Sequence, residues 1–139
     1  AARRIDLTSM DVPFSPELTW GLGMTYDMPM DSGASLTINL SLHYQDEFET
    51  ASFPANGQGG DANGNPIIRA KANTQSQDRT LVDGYIQYVD ASEKVEVTFY
   101  GKNMTDEVWR NSAQPVAQLW TWAGYGPPRE LGVRVGYNF

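Results

Sequence analysis

The stretch Arg129-Glu-Leu-Gly-Val-Arg-Val-Gly-Tyr-Asn-Phe139 decides the fold of this chain, because apolar and polar residues alternate along it. In a β-strand, successive side chains point to opposite faces of the sheet. One face of this strand is therefore wholly apolar, and it carries Leu131, Val133, Val135, Tyr137 and Phe139. The other face carries only polar residues and glycine. Such a strand is expected in the wall of an outer-membrane barrel, where lipid covers one face and water the other.

The same alternation recurs in four further segments. Together with the terminal segment they predict strands at about residues 17–28, 34–46, 80–90, 94–104 and 129–139. Pro29-Met-Asp-Ser-Gly33 and Asp90-Ala-Ser-Glu93 are rich in turn-forming residues and predict two tight turns. The sequence thus predicts an all-β fold, an antiparallel transmembrane β-barrel segment of about five strands.

The connections between these strands alternate between short and long, which places both tight turns at one end of the sheet. Outer-membrane barrels have short periplasmic turns and long extracellular loops, and strands of this length suit a tilted membrane crossing. We therefore expect residues 47–79 and 105–128 to be long extracellular loops and residues 1–16 to be the end of another. Tyrosines near the turn end of the apolar face predict an aromatic girdle formed by Tyr26, Tyr88 and Tyr137.

The composition excludes several other classes of protein. The 139 residues carry a net charge of −7 and show no basic stripe, so we expect no nucleic-acid partner. There is no cysteine and one histidine, so we expect no metal site and no cofactor. No run approaches the roughly 18 apolar residues of a membrane-spanning helix, but alternating barrel strands average to modest hydropathy.

Several short motifs of the chain occur in an order and spacing typical of one protein family. They are Gly101-Lys-Asn-Met-Thr-Asp-Glu-Val-Trp109, Gly126-Pro-Pro-Arg-Glu-Leu-Gly132, Ser15-Pro-Glu-Leu18 and Arg79-Thr-Leu-Val-Asp83. Together they resemble the C-terminal end of TonB-dependent outer-membrane receptors. The first is similar to the strand-closing Asn-Leu-Thr-Asp turn of that family, with Met104 in place of the usual Leu and Trp109 in place of Tyr. The second resembles the Pro-Arg opening of its last strand, and the other two resemble its other strand openings.

This resemblance implies the last strands of a 22-stranded barrel in the bacterial cell outer membrane. Members of the family bind a scarce nutrient, such as siderophore-bound iron, cobalamin or an oligosaccharide, and import it through an N-terminal plug. The energy-coupling TonB protein acts through that plug, which this sequence lacks, and the function involves no enzymatic reaction. Five strands are too few to close a barrel. We therefore expect the remaining barrel and plug to be supplied by the same or a separate chain.

The terminal strand also resembles the signal by which barrel-assembly machinery recognises outer-membrane proteins. The signal residues are Glu130, Gly132, Val135, Tyr137 and Phe139. Recognition by strand addition suits an edge strand. Any amphipathic final strand would show a similar pattern, so this alternative stays open.

The candidate ligand-binding residues are Trp120, Trp122, Tyr125, His43 and Gln45. The three aromatic residues lie in Leu119-Trp-Thr-Trp-Ala-Gly-Tyr125, where flat rings offer stiff contact area to a small molecule or an oligosaccharide. The alternative is that this loop packs on itself. His43 and Gln45 share the polar face with Ser41, but no activated-serine motif accompanies them, so we expect no catalysis.

Further polar residues leave two questions open. The charged residues of the polar face either pair across strands or are hydrated by water, and they comprise Asp27, Asp83, Glu96, Lys102 and Arg134. Asp61-Ala-Asn-Gly-Asn65 spaces oxygen ligands as a calcium loop does, but lacks the turn glycine and the final Glu, so we interpret it as a plain loop tip. Two other functions also fit the pattern: a soluble β-sandwich that binds carbohydrate, and the wall of a passive pore.

Overall fold

A computed structural model describes residues 12–51, 74–116 and 120–139. The strands of these residues are β1 (Thr19–Pro29), β2 (Ser35–Gln45), β3 (Phe48–Glu49), β4 (Gln75–Ser76), β5 (Arg79–Val89), β6 (Val95–Lys102), β7 (Arg110–Val116), β8 (Trp120–Tyr125) and β9 (Glu130–Tyr137). They fall into two units. The sheet unit comprises residues 19–44, 80–107 and 127–139, and the loop unit comprises the described parts of residues 1–18, 45–79 and 108–126.

The main sheet contains the five strands that the sequence predicts. Its order is β1-β2-β5-β6-β9, so each strand lies beside the next long strand along the chain. The prediction of an all-β fold with antiparallel strands is confirmed. The observed strands differ from the predicted ones mainly at their ends, and β6 ends at Lys102 rather than at about residue 104.

The register of the sheet keeps apolar residues beside apolar residues on one face. Phe99 of β6 pairs with Ile86 of β5 on one side and with Val133 of β9 on the other. On the opposite face, Tyr100 pairs with Tyr85 and with Gly132. A shift of one residue would exchange the two faces of a strand, so the alternation in the sequence excludes registers shifted by an odd number of residues.

Strands β1 and β2 obey the same division into faces. On the polar face, the Thr37 hydroxyl donates a hydrogen bond of 2.7 Å to the Asp27 carboxylate. On the apolar face, the rings of Trp20 and Tyr44 stack with their centroids 5.8 Å apart. Both contacts join residues of the two neighbouring strands. The stacked pair of Trp20 and Tyr44 lies at the end of the sheet opposite the tight turns.

The two tight turns form as the sequence predicts. Between β1 and β2, Gly33 adopts a φ of 87°, a left-handed conformation that glycine accepts without a steric penalty. Between β5 and β6, the Asp90 carboxylate accepts hydrogen bonds from the Ser92 hydroxyl (2.5 Å) and from the backbone N–H of Val95 (2.6 Å). These bonds lower the pKa of Asp90, with the Ser92 side chain as the largest cause.

A corner after β6 is fixed by a single asparagine. Asn103 is 5% exposed and has a φ of 47°. Its backbone N–H donates to the Asp83 carboxylate (2.7 Å), and its side-chain amide donates to the carbonyl oxygens of Glu107 (2.9 Å) and Pro127 (3.2 Å). The backbone N–H of Glu107 donates to the Asn103 side-chain oxygen. Asn103 therefore holds together, through these hydrogen bonds, the motif that resembles a strand-closing turn.

The two long connections contain strands that the sequence does not predict. Strands β3 and β4 pair within residues 47–79, and β7 and β8 pair within residues 105–128. The first pair is only two residues long, which is too short to show a period. Apolar and polar residues alternate little along β7, so the sequence does not indicate a strand there. This strand also contains Pro115, which is tolerated because each strand of a two-stranded ribbon has a free edge.

The buried apolar residues of the described chain lie mostly in the loop unit. They are Ala34, Ala51, Trp109 and Ala113, and only Ala34 belongs to the sheet unit. Trp109 is 7% exposed, and its ring packs directly over Gly126, where a Cβ atom would overlap it. In contrast, the apolar face of the main sheet is open: Phe99 is 58% exposed and Val133 is 57% exposed.

Candidate functional site

The β7–β8 ribbon presents two of the predicted aromatic residues together. Trp120 pairs with Val116 and Trp122 pairs with Gln114. Because the two tryptophans are two residues apart on one strand, their side chains lie on the same face of the ribbon. They are 58% and 54% exposed, so both indole rings are accessible.

Tyr125 is placed differently from the two tryptophans. It is also exposed and pairs with Arg110, but its odd position on β8 puts it on the other face of the ribbon. The register shifts between Arg110 and Ser112, so the irregularity lies on β7 and leaves the alternation of β8 intact. The structure therefore brings Trp120 and Trp122 together, and Tyr125 does not share their face.

Gln45 contacts an arginine in the loop unit. Its side-chain oxygen accepts a hydrogen bond from the Arg79 guanidinium, which also donates to the Ser76 hydroxyl at 3.2 Å. The guanidinium carbon lies 5.0 Å from the centroid of the Trp109 ring and 5.8 Å from that of Phe48. Cations are attracted to aromatic faces at such distances. Gln45 thus helps to hold Arg79, and its oxygen is already occupied.

Arg79 is a residue whose role the sequence did not indicate. In the sequence it is the first residue of a motif that resembles a strand opening, and its partners Gln45, Phe48 and Trp109 are distant along the chain. Its Nε atom is buried and has no hydrogen-bond partner among the described residues. The arginine therefore packs mainly through its aromatic contacts and the two side-chain bonds.

A second cluster that the sequence did not indicate lies where β3 meets β4. The buried Glu49 carboxylate accepts hydrogen bonds of 3.0 Å from the backbone N–H of Ala51 and from the Thr74 hydroxyl. The backbone N–H of Thr50 and its hydroxyl both donate to the Thr74 carbonyl oxygen. These bonds satisfy a buried carboxylate with neutral donors, so the cluster has a structural explanation.

His43 lies on the polar face of β2 in the sheet unit, whereas the other predicted ligand residues lie in the loop unit. It is exposed, and its imidazole makes no hydrogen bond with another described residue. The nearby Ser41 hydroxyl is 3.5 Å from the Asp83 carbonyl oxygen, to which it donates, and not bonded to the histidine. The geometry gives no sign of an activated serine.

The residues of the predicted assembly signal lie along β9 and just beyond it. Glu130 and Gly132 are on the polar face, and Val135 and Tyr137 are on the apolar face. The rings of Tyr137 and Phe139 meet edge to face, with centroids 5.1 Å apart. Strand β9 is at one edge of the main sheet, so its outer side is open to another strand within the described residues.

A pocket of about 330 Å³ lies on the polar face of the main sheet. Its lining comprises Asn39, Asp83, Gly84, Tyr85, Thr98, Tyr100, Gly101, Lys102, Glu130 and Arg134. The Tyr100 hydroxyl donates a hydrogen bond of 2.9 Å to Glu130, and its ring lies over Gly132, which leaves the room that the ring needs. The sequence indicated the charged residues of this face but not their partners.

The ion pairs considered from the sequence do not form between these charges. Asp27, Asp83 and Glu96 instead accept hydrogen bonds from a threonine hydroxyl, a backbone N–H and a threonine hydroxyl respectively. Among the described residues, an ion pair forms between Arg129 and Asp106 at 3.3 Å, and it lies outside the strands.

In the described ranges, no three His, Cys, Asp or Glu side chains cluster as a metal site would require. The same ranges contain no helix with the length and hydropathy needed to cross a membrane. The predicted calcium-like segment 61–65 lies outside the described residues. The chain matches none of the family models, curated proteins or solved structures with which it was compared.

Proposed function

We propose that this chain forms part of the barrel wall of a TonB-dependent receptor in the bacterial outer membrane. The observation that carries the proposal is the open apolar face of the five-stranded sheet, which lies opposite a polar face. The exposed residues of this face include Leu22, Met24, Ile86, Phe99, Leu131, Val133 and Val135. In a barrel wall, lipid would cover the apolar face and water would hydrate the polar face.

The size of this face supports lipid as its partner. Five strands at about 4.8 Å spacing are about 24 Å wide, and eight residues at about 3.3 Å rise are about 26 Å long, which gives roughly 600 Å². That value is at the upper limit for an apolar patch on a monomeric soluble protein, about 300–600 Å². The 11-residue strands extend about 36 Å. Tilted by about 40°, they would span about 28 Å, close to the apolar band of about 25 Å in such barrels.

The positions of aromatic side chains also support the proposal. Tyr26, Tyr88 and Tyr137 are exposed near the turn end of the apolar face, and Trp20 stacks on Tyr44 near the other end. Tyrosine and tryptophan are enriched where a membrane meets water. A soluble β-sandwich would instead need a second sheet about 10 Å above this face.

Cell fractionation tests the membrane location. We expect the native chain to sediment with outer membranes, to resist extraction by alkaline carbonate and to dissolve in detergent, while a periplasmic protein measured in parallel stays soluble. Recovery of a monodisperse folded chain in the aqueous phase without detergent would contradict the proposal. Affinity purification from the detergent extract then separates import from passive diffusion, because an importer should co-purify with a plug domain.

For the transported ligand we propose the exposed face of Trp120 and Trp122 as a stacking surface. Two accessible indole rings on one face of a ribbon offer flat contact area to a planar group or a sugar ring. The ligands to test are iron chelates, cobalamin and oligosaccharides, with quenching of tryptophan fluorescence as the measurement. We expect Trp120→Ala and Trp122→Ala to weaken binding and Trp20→Ala, on the apolar face, to leave it unchanged. Equal losses in all three variants would refute this role.

A further inference from the structure

The pocket on the polar face combines a suitable size with an unusual distribution of hydrogen bonds. Its volume of about 330 Å³ falls in the range of small-molecule sites, about 300–1,000 Å³. It is formed by neighbouring strands of the sheet unit alone, and it takes its charged groups from β5, β6 and β9. Rigid strands hold binding groups more accurately than loops do.

The two carboxylates of the pocket are already occupied by neutral donors. Glu130 accepts from the Tyr100 hydroxyl at 2.9 Å, and Asp83 accepts from the backbone N–H of Asn103 at 2.7 Å. The two cations differ, because the side chains of Lys102 and Arg134 form no hydrogen bond or ion pair with another described residue. The formal charges of the pocket cancel, but the unused hydrogen-bonding capacity is concentrated on the cations.

The register places these cations on either side of one aromatic ring. Lys102 pairs with Glu130, Tyr100 pairs with Gly132 and Thr98 pairs with Arg134. Because Gly132 has no side chain, the ring and hydroxyl of Tyr100 lie directly over it, at the register position between the two cations. A group bound above this ring is within reach of the ammonium from one end and the guanidinium from the other.

We propose that this pocket binds an anionic oxygen group, a carboxylate or a phosphate, of a small ligand. Lys102 and Arg134 would supply charge-assisted hydrogen bonds, and the arginine fork would bind two oxygens at once. This inference rests on the proposed function, in which the polar face lines the water-filled interior of the barrel, and it adds the chemical class of the ligand.

The test is calorimetric titration of the chain, purified from outer membranes in detergent, with sodium phosphate and separately with sodium succinate at constant ionic strength. Each cation contributes a bond to a charged group, so Lys102→Gln and Arg134→Gln should each weaken binding by about tenfold. Lys94→Gln is the matched control, because Lys94 is an exposed cation in a turn outside the pocket. It should bind as the native chain does.

A gain of affinity provides a test that misfolding cannot imitate. Glu130→Gln removes a negative charge that would repel a bound anion, so it should tighten binding several-fold. Binding of phosphate alone or of succinate alone supports the proposal and identifies which oxygen group is preferred. Weaker binding by Glu130→Gln, or an equal loss in Lys94→Gln, would overturn it.

Failure of this inference is distinguishable from failure of the proposed function. A native chain that fractionates with outer membranes but binds neither anion at about 10 mM overturns the anion site alone. If an acidic peptide then binds where both small anions fail, the pocket serves a protein segment and the proposal is wrong. A chain that is soluble without detergent overturns the membrane function, which is measured separately.

Discussion

Replacement of Val133 by arginine would measure directly whether the apolar face meets lipid. Val133 is 57% exposed and pairs with Phe99 near the middle of the sheet, whereas Val95 pairs with Tyr137 beside the turns. Phe99 and Val95 are four residues apart on β6, about 13 Å along the strand. In the proposed barrel wall, with a tilt of about 40°, Val95 would lie about 10 Å closer to the membrane surface than Phe99.

This difference in depth predicts different costs for the same chemical change. An arginine at the centre of the lipid-facing band costs about 2–4 kcal/mol, and one near the interface costs about 0–1 kcal/mol. Val133→Arg should therefore shift the folding equilibrium by about 30-fold to about 700-fold, and Val95→Arg by less than about tenfold. On a water-exposed surface, both changes would stay within about 0.5 kcal/mol.

The chain is denatured with guanidinium in native outer-membrane vesicles, and the unfolded fraction at each concentration is measured by its accessibility to protease. The native chain and both arginine variants are compared in vesicles of one preparation. Equal midpoints for all three proteins would refute the assignment of this face to lipid. A larger loss for Val95→Arg than for Val133→Arg would refute the depth that we assign to each residue.

Three further predictions concern stability. Gly132→Ala should destabilise the fold by about 1–3 kcal/mol in thermal unfolding, because a Cβ atom there would lie 2.5 Å from the ring and hydroxyl of Tyr100. Gly136→Ala is the control, because a Cβ atom there would lie 3.7 Å from the nearest atom, the Cβ of Glu96. The pKa of Asp90 is lowered by its hydrogen bonds, first of all that from the Ser92 side chain, so its carboxylate stabilises the fold at a pH above its unfolded pKa. This stabilisation is lost as the pH falls through the lower folded pKa. Thermal unfolding midpoints measured between pH 7 and pH 2 should show this loss, and Asp90→Asn should show less of it. Asn103→Ala should cost about 2–4 kcal/mol in denaturant unfolding, since it removes four side-chain hydrogen bonds and retains a left-handed backbone. Asn103→Gly should cost less.

The main sheet was predictable from the sequence because its signal is local. A strand with one apolar and one polar face repeats every two residues, so Leu131 to Tyr137 indicates both the strand and its faces. The tight turns were predictable for the same reason, since Gly33 and Asp90 act within their own turns. Matching the faces restricts the partner of Phe99 on β9 to the apolar residues of that strand, of which Val133 is the observed one.

The remaining features depend on contacts between distant residues. Arg79 meets Phe48 and Trp109, which are 31 and 30 residues away, and nothing in its own neighbourhood indicates this. The ribbon of β7 and β8 forms without an apolar alternation on β7. Trp120, Trp122 and Tyr125 are close in the sequence, but the alternation of side chains along β8 places Tyr125 on the other face of the ribbon from Trp122.

The alternation of chain direction in the main sheet constrains whatever would complete a barrel. Across the order β1-β2-β5-β6-β9 each strand is antiparallel to its neighbour, so the two edge strands run in the same direction. A closed antiparallel barrel that includes this sheet therefore requires an odd number of additional strands between β9 and β1. A second copy in the same orientation would place parallel edge strands side by side. A copy turned end for end would pair them antiparallel, but its tight turns would lie at the opposite end of the barrel from those of the first copy. The proposed 22-stranded barrel would need 17 more strands, an odd number, which satisfies the requirement with all tight turns at one end.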